Sequence, residues 1–265
     1  MARIGVAATA PFGADVLEGL AARHEIVFCL TRPDRPRGRG RVPGPPPAKI
    51  RAIELGVALL QPERLDASVS LPADTIVCVA YGQLIPPALL ERHLWLNVHP
   101  SLLPRWRGAA PVERAIMAGD AETGVTVIKL VEELDAGPIA AQRAFPIGPG
   151  DDAGSVYARA AALSGELLDL ALERPGFVAQ PAEGTTYAPK ITAVDRELDL
   201  AGPPEEALNR IRALSPHIGA RATVDGRRLT IWKARVEGGA LVPVEVQPEG
   251  RRRMTYDEFR RGVRA

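Results

Sequence analysis

The residues from Leu94 to Gly108 read LWLNVHPSLLPRWRG and join an apolar strand pattern to a polar loop bounded by prolines. Asn97 and His99 stand two residues apart at the end of the strand pattern, so the alternation of a β-strand directs both side chains to one face. An amide and an imidazole that share a face at a strand end are typical of an active site.

A second pattern follows further along the chain. The residues from Thr126 to Leu130 read as another strand, which leads into the turn Glu133-Leu134-Asp135-Ala136-Gly137-Pro138. We expect this turn to bring the Asp135 carboxylate to His99. The two patterns together make an amide, an imidazole and a carboxylate candidates for one site.

Strand and helix signals alternate from the start of the chain. The strand patterns lie at 3–7, 25–30, 75–80 and 94–98, and the helical patterns between and after them lie at 15–23, 48–55 and 111–119. This rhythm predicts an α/β fold with a Rossmann-like, mostly parallel twisted sheet and helices on both faces. Ligands of such sheets bind outside the carboxyl ends of the strands, where Tyr81, Gly82, Asn97 and His99 are expected.

Composition narrows the class of protein. The chain has 265 residues, of which 46% are apolar and 25% charged, as in globular proteins. Its two cysteines lie inside apolar strand patterns, which favours reduced buried thiols. No stretch approaches the ~18 apolar residues of a membrane span, and no metal-ligand spacing is present. We therefore expect a cytoplasmic protein without membrane association or a metal.

With these segments in view, the chain resembles the methionyl-tRNA formyltransferase family. The features of that family are an Asn-x-His strand end, a Ser-Leu-Leu-Pro-x-x-Arg-Gly loop and a Leu-Asp-x-Gly-Pro turn, and this sequence has all three. Further similar segments occur in family order over nearly the whole chain, at Gln61–Glu63, Ala80–Pro86, Thr186–Lys190 and Val246–Gly250.

The resemblance implies transfer of a formyl group from 10-formyltetrahydrofolate to the α-amino group of initiator methionyl-tRNA. Asn97, His99 and Asp135 are then the catalytic candidates. Asn97 suits a developing oxyanion and His99 suits proton transfer, with Asp135 orienting the imidazole. None of the three is a good covalent nucleophile, so direct attack by the amine is expected.

The resemblance also implies two binding regions. The folate co-substrate is expected in a slot formed by Ser101, Leu102, Leu103 and Pro104 and walled by Tyr81, Gly82 and Ile85. A loop rich in arginine, proline and glycine is expected to contact the tRNA acceptor stem, because planar guanidinium groups bind phosphates and stack on bases. Its candidates are Arg35, Arg37, Arg39 and Arg41.

The same reading divides the chain into a formyltransferase domain at 1–188, a linker at 189–203 and a small OB-like β-barrel domain at 204–265. The last domain is shorter than the family pattern. This shortening, together with Pro100, leaves open a small-amine acceptor such as an amino sugar nucleotide or glycinamide ribonucleotide. An altered first turn at Ala7–Phe12 leaves open a catalytically silent RNA-binding paralogue. We expect a monomer.

Overall fold

The computed structural model describes residues 1–37, 42–173 and 176–264, and excludes the side chains of residues 36, 37, 42, 43, 263 and 264. The chain packs as two compact units. The first unit takes its residues from 1–107, 124–144 and 158–185, and the second from 108–123, 145–157 and the residues from 186 onward. The predicted domain bounds, with their linker at 189–203, stay a prediction.

The elements alternate as the sequence pattern predicts. The strands, in chain order, are β1 (Arg3–Ala8), β2 (Glu25–Leu30), β3 (Arg35–Arg37), β4 (Val42–Gly44), β5 (Leu59–Leu60), β6 (Thr75–Val79), β7 (Leu94–His99), β8 (Arg107–Gly108), β9 (Glu122–Lys129), β10 (Ile139–Pro146), β11 (Tyr187–Ala188), β12 (Ala220–Val224), β13 (Arg227–Glu237), β14 (Ala240–Pro248) and β15 (Met254–Thr255). The helices are α1 (Pro11–Ala21), α2 (Pro47–Glu54), α3 (Pro87–Arg92), α4 (Pro111–Met117), α5 (Ala153–Glu173), α6 (Pro204–Leu214) and α7 (Tyr256–Arg264), with a short 3-10 helix at Val194–Arg196.

A seven-stranded sheet forms the centre of the first unit, in the order β10-β9-β7-β6-β1-β2-β5. The five strands from β7 to β5 run parallel, and β9 lies antiparallel to β7. The chain builds outward from β1 through β2 to β5, then returns to the other side of β1 with β6. This reversal of strand order marks the place where open α/β sheets bind ligands. The predicted mostly parallel α/β fold is confirmed.

Apolar side chains pack tightly against the sheet. Phe28, Ile76 and Trp95 are buried in one cluster, and a Cβ on Gly5 would lie 2.3 Å from the Phe28 ring. Both cysteines, Cys29 and Cys78, are buried free thiols, and burial raises the pKa of each to about 12. These thiols therefore stay neutral at physiological pH.

The second unit contains a four-stranded sheet, β12-β13-β14-β15, whose neighbouring strands are antiparallel. Leu214 of α6 and Phe259 of α7 are buried with Ile231 and Val246 against this sheet. The small C-terminal β-structure expected from the sequence is confirmed as this antiparallel sheet. Within the described residues, no helix is long and apolar enough to span a membrane.

Candidate active site

The strand end predicted from sequence lies where β7 is flanked by β6 and β9. His99 is the last residue of β7 and its side chain is 5% exposed, while Asn97 is half-buried. Asp135 lies in the turn between β9 and β10, and its side chain is 10% exposed. The structure thus brings the three predicted catalytic candidates together.

Asp135 is the common partner of the other two residues. Nδ2 of Asn97 donates a hydrogen bond to Oδ1 of Asp135 over 3.4 Å. Nδ1 of His99 lies 3.7 Å from Oδ2 of the same carboxylate. Nε2 of His99 lies 2.8 Å from the carbonyl oxygen of Trp106, and because a carbonyl only accepts, Nε2 carries a proton. The Nδ1 edge of the imidazole is therefore the one that faces the carboxylate.

The electrostatics of the site extend to β6. Burial, with a smaller contribution from the negative charge of Asp135, raises the pKa of the Cys78 thiol to about 12. A thiolate is the nucleophilic form of cysteine, and this environment suppresses it. The Cys78 thiol is therefore a poor nucleophile near neutral pH.

The turn that carries Asp135 is conformationally constrained. Asp135 has a φ of +49°, in the left-handed region that costs an L-residue about 1–2 kcal/mol, although aspartate tolerates it better than most. A Cβ on Gly137 would lie 1.7 Å from the Lys129 carbonyl oxygen, so glycine alone fits there. The Lys129 amide donates to the Pro138 carbonyl over 3.0 Å. The turn therefore packs closely against Lys129 at the end of β9.

Sequence reasoning missed a residue that contacts this turn. Gln180 lies in a stretch rich in proline and glycine that carries no strand or helix pattern, yet its amide donates to the carbonyl oxygens of Asp135 and Gly137. Its side-chain oxygen accepts hydrogen bonds from Arg107. No periodicity or local motif connects positions so far apart in the chain, so this contact requires the structure.

The loop after β7 is held by a hydrogen bond within it and by two hydrogen bonds to Thr126 of β9. Ser101 is fully buried, and its hydroxyl donates to the Arg105 carbonyl over 2.7 Å. Oγ1 of Thr126 donates to the Ser101 carbonyl and accepts from the Leu103 amide, at 2.6 and 3.1 Å. Leu103 is buried, whereas Leu102 and Pro104 are partly exposed. Ser101 and Leu103 thus form the buried part of the loop, and Leu102 and Pro104 form its accessible part.

The loop after β6 is tied to the end of β1. The Thr9 hydroxyl donates to the Tyr81 carbonyl over 2.8 Å, and the Tyr81 side chain is buried. Gly82 has a φ of +76° and its carbonyl accepts from Arg32 over 3.4 Å. Ile85 is partly exposed. Of the three residues predicted to wall the slot, Gly82 and Ile85 have accessible surface, whereas the Tyr81 side chain is buried.

β3, which lies in the arginine-rich segment, pairs antiparallel with β4. Arg35 is exposed, whereas Arg39, Arg41 and the side chain of Arg37 lie outside the described residues. Hydrogen bonds from Lys49 and Gln61, each 2.8 Å long, hold the pKa of Asp34 below its usual value. Asp34, directly before β3, is thus bound to α2 through Lys49 and to the segment after β5 through Gln61. In the described part of the chain, no cluster of three or more His, Cys, Asp or Glu residues could hold a metal ion.

Comparison with models of known families identifies the class of protein to which this fold and site belong. The family model described as "Formyl transferase" matches residues 3–172, and the one described as "Formyl transferase, C-terminal domain" matches residues 190–240. The chain belongs to the formyl transferase family.

Individual relatives carry a more particular name. The chain is 43% identical over 262 residues to the methionyl-tRNA formyltransferase of Xanthomonas oryzae pv. oryzae, covering 94% of this chain and 84% of that protein. It is 36% identical over 300 residues to that of Listeria innocua, covering 99% and 96%. The predicted resemblance is confirmed.

Solved structures share the fold at lower identity. The methionyl-tRNA formyltransferase from Clostridium thermocellum superposes with a TM-score of 0.64 at 17% identity, covering 94% of this chain and 99% of that one. HypX from Aquifex aeolicus in complex with tetrahydrofolic acid gives a TM-score of 0.64 at 17% identity, covering 97% of this chain and 46% of that one.

Proposed function

We propose that this protein transfers a formyl group from 10-formyltetrahydrofolate to the α-amino group of initiator methionyl-tRNA. One observation carries the proposal: Asn97, His99 and Asp135 meet at the end of β7, in a chain 43% identical to a methionyl-tRNA formyltransferase. An amide donor, an imidazole and a carboxylate are the groups that acyl transfer to an amine requires.

Asn97 is assigned to the formyl oxygen. Attack of a neutral amine on the formyl carbon forms a new C–N bond and leaves a negative oxygen, which an amide N–H stabilises as its charge develops. Nδ2 of Asn97 now donates to Asp135 over 3.4 Å, which is long for a hydrogen bond to a carboxylate. An oxyanion would therefore compete well for this donor.

His99 and Asp135 are assigned to proton transfer. The attacking amine loses a proton, and N10 of the folate gains one as its bond to the formyl carbon breaks, leaving tetrahydrofolate and the formylated amine. Because Nε2 of His99 is engaged by Trp106, Nδ1 is the nitrogen that exchanges the proton. The Asp135 carboxylate, 3.7 Å from Nδ1, stabilises the imidazolium that forms.

The co-substrate slot is assigned to the two loops beside this site. Leu102, Pro104, Ile85 and Gly82 are the predicted slot residues with partial or main-chain exposure, and an apolar slot of this kind suits a flat pterin ring. Ser101, Leu103 and Tyr81 are buried and support those surfaces. We therefore propose that four of the seven predicted residues contact the folate and that the three buried ones support them.

Arg35, Arg37, Arg39 and Arg41 are proposed to bind the acceptor stem of the tRNA through its phosphates. Replacement of all four by alanine should raise the KM for tRNA and weaken its dependence on salt, while kcat changes little. A control with Lys233→Ala, an exposed cation of the second unit, should leave the KM near that of the wild type. An unchanged KM in the fourfold variant would remove the arginine loop from the RNA contact.

The proposed activity is tested by supplying 10-formyltetrahydrofolate with charged initiator methionyl-tRNA, and in parallel with an amino sugar nucleotide or glycinamide ribonucleotide. Formylated tRNA is expected, with the rate falling about 10²–10³-fold in Asn97→Ala because one oxyanion donor is lost. Product from a small amine alone would support a small-molecule formyltransferase. Binding of tRNA without product from any acceptor would support a silent RNA-binding paralogue.

A further inference from the structure

Gln180 uses every hydrogen-bonding position of its side-chain amide near the candidate site. Nε2 donates to the carbonyl oxygens of Asp135 and Gly137, each at 2.8 Å. Oε1 accepts from Nε and Nη2 of Arg107, at 3.1 and 2.8 Å. A primary amide has two hydrogens and one oxygen with two lone pairs, so these four bonds saturate it.

The backbone places Gln180 opposite the turn. Val178 pairs with Ile139 by two main-chain hydrogen bonds of 2.7 and 2.9 Å. Ile139 begins β10, directly after the turn that carries Asp135. Since Gln180 follows Val178 by two residues, the backbone pairing fixes its distance from the turn, and the amide reaches the two carbonyls from a defined position.

Arg107 extends the connection to His99. Its side chain is 10% exposed, and Nη1 lies 3.3 Å from Oε1 of Glu133 on the same turn. Arg107 follows Trp106 directly, and the Trp106 carbonyl accepts the hydrogen bond from Nε2 of His99. Gln180 therefore joins the segment that orients the imidazole to the turn that carries the carboxylate.

We infer that Gln180 is a positioning residue for formyl transfer, which holds the Asp135 turn and the Trp106–Arg107 segment in register so that the carboxylate faces Nδ1 of His99. The catalytic consequence of this inference rests on the proposed function. The positioning of the His99 imidazole does not depend on it. Asp135 sits at a φ of +49°, a conformation that persists where surrounding contacts determine it. The two bonds from Gln180 to this turn are such contacts.

Two substitutions separate this role from simple packing. Gln180→Met keeps the length of the side chain and removes all four hydrogen bonds. Gln180→Glu keeps an acceptor for Arg107, and so protects the fold, but it replaces the N–H donors to the turn by oxygen. Each should lower kcat by about tenfold to a hundredfold, because small displacements of reacting groups have costs of this size. The KM for the folate should stay within about twofold, since Gln180 lies outside the assigned slot.

The matched control is Gln247→Met. Gln247 also spans two partners, since it accepts from Nε1 of Trp232 at 3.1 Å and donates to the Arg251 carbonyl at 2.9 Å, but it lies in the second unit. Its kcat should stay near that of the wild type. Equal losses in Gln180→Glu and Gln247→Met, with both proteins folded, would overturn the inference.

A double-substitution cycle tests whether Gln180 acts through Asp135. In the Asp135→Asn background, Gln180→Met should lower kcat by less than about twofold, because the partner that it positions has already lost its charge. Losses that multiply fully would show that Gln180 acts independently of Asp135, which would also overturn the inference.

A spectroscopic measurement tests the positioning role of Gln180 without any formyl acceptor. The ¹⁵N shifts of the His99 imidazole should change in Gln180→Met and stay unchanged in Gln247→Met, since only the first releases the segment that accepts the Nε2 proton. If the wild type formylates no acceptor, the proposed function fails and this shift still decides the positioning role. Identical His99 signals in wild type and both Gln180 variants would refute that role.

Discussion

Asp135 and Asp225 have nearly the same backbone conformation and reach it by different means. Their φ values are +49° and +50°, both in the left-handed region. Asp225 is followed by Gly226, also at positive φ, and the pair forms the two-residue turn that joins β12 to β13. Asp-Gly is among the favoured sequences for such hairpins, so the local sequence suffices to specify this turn.

The turn at Asp135 depends on partners distant in the chain. Its carbonyl accepts from Gln180, and Gly137 fits against Lys129 with no space for a side chain. The two carboxylates differ as well, since the Asp135 side chain is 10% exposed and faces Asn97 and His99. The turn at Asp135, to which we assign a catalytic carboxylate, is thus held in its left-handed conformation by distant residues, whereas the turn at Asp225 is specified locally.

The largest difference is expected from replacing the glycine of each turn. Gly137→Ala places a methyl group 1.7 Å from a main-chain oxygen, so the turn must move, with an expected loss of about 3 kcal/mol in the free energy of unfolding. Gly226→Ala meets no atom within 4 Å and should cost about 1–2 kcal/mol, from its positive φ alone.

Denaturant unfolding measures both values, and formyl transfer should fall more than a hundredfold only in Gly137→Ala, because that variant displaces Asp135. Equal losses of stability in the two variants would contradict the view that distant contacts constrain the Asp135 turn more strongly.

A smaller difference is expected from replacing each aspartate by asparagine, which tolerates the left-handed conformation. Asp135→Asn should lower kcat about a hundredfold, because the carboxylate that stabilises the His99 imidazolium is lost. Asp225→Asn should leave kcat within about twofold of the wild type and stability within about 0.5 kcal/mol. Steady-state kinetics with thermal unfolding check both. A comparable loss of kcat in the two variants would remove Asp135 from proton transfer.

The smallest effect concerns a third aspartate, which has distant partners but no catalytic assignment. Asp195 accepts from Arg114 over 2.6 Å and from the amide and hydroxyl of Thr192 over 2.8 Å each. These bonds, that from Arg114 above all, hold the pKa of Asp195 well below its usual range. A pKa lowered by folding contributes stability above the unfolded value of about 4, and that contribution is lost as the pH falls through the folded value.

Asp195→Asn should therefore reduce the free energy of unfolding by about 1 kcal/mol near neutral pH, a figure that allows for partial solvent screening. The difference from the wild type should shrink as the pH falls below about 4. Unfolding curves at several pH values measure it, and kcat near neutral pH should be unchanged. A difference that stays constant down to low pH would show that Asp195 contributes through packing and not through its charge.

The sequence predicts the regular elements and the strand-end residues of the candidate site well, because both depend on short-range patterns. Period-two alternation in β7 places Asn97 and His99 on one face, and the Asp225-Gly226 turn follows from two adjacent residues. Burial is harder to foresee. Ser101 has a polar side chain in a family binding loop, yet its hydroxyl bonds within the loop. Gln180 escapes sequence reasoning because its partners are brought to it only by the folded chain.

The burial of Cys29 and Cys78 has a practical consequence for experiments on the proposed RNA loop. Their raised pKa values, about 12 each, leave almost no thiolate at neutral pH, so both should react very slowly with maleimides. The sequence has no other cysteine. A cysteine introduced by Arg35→Cys would therefore take a fluorophore selectively in the otherwise native chain, giving a single-site optical probe of tRNA docking.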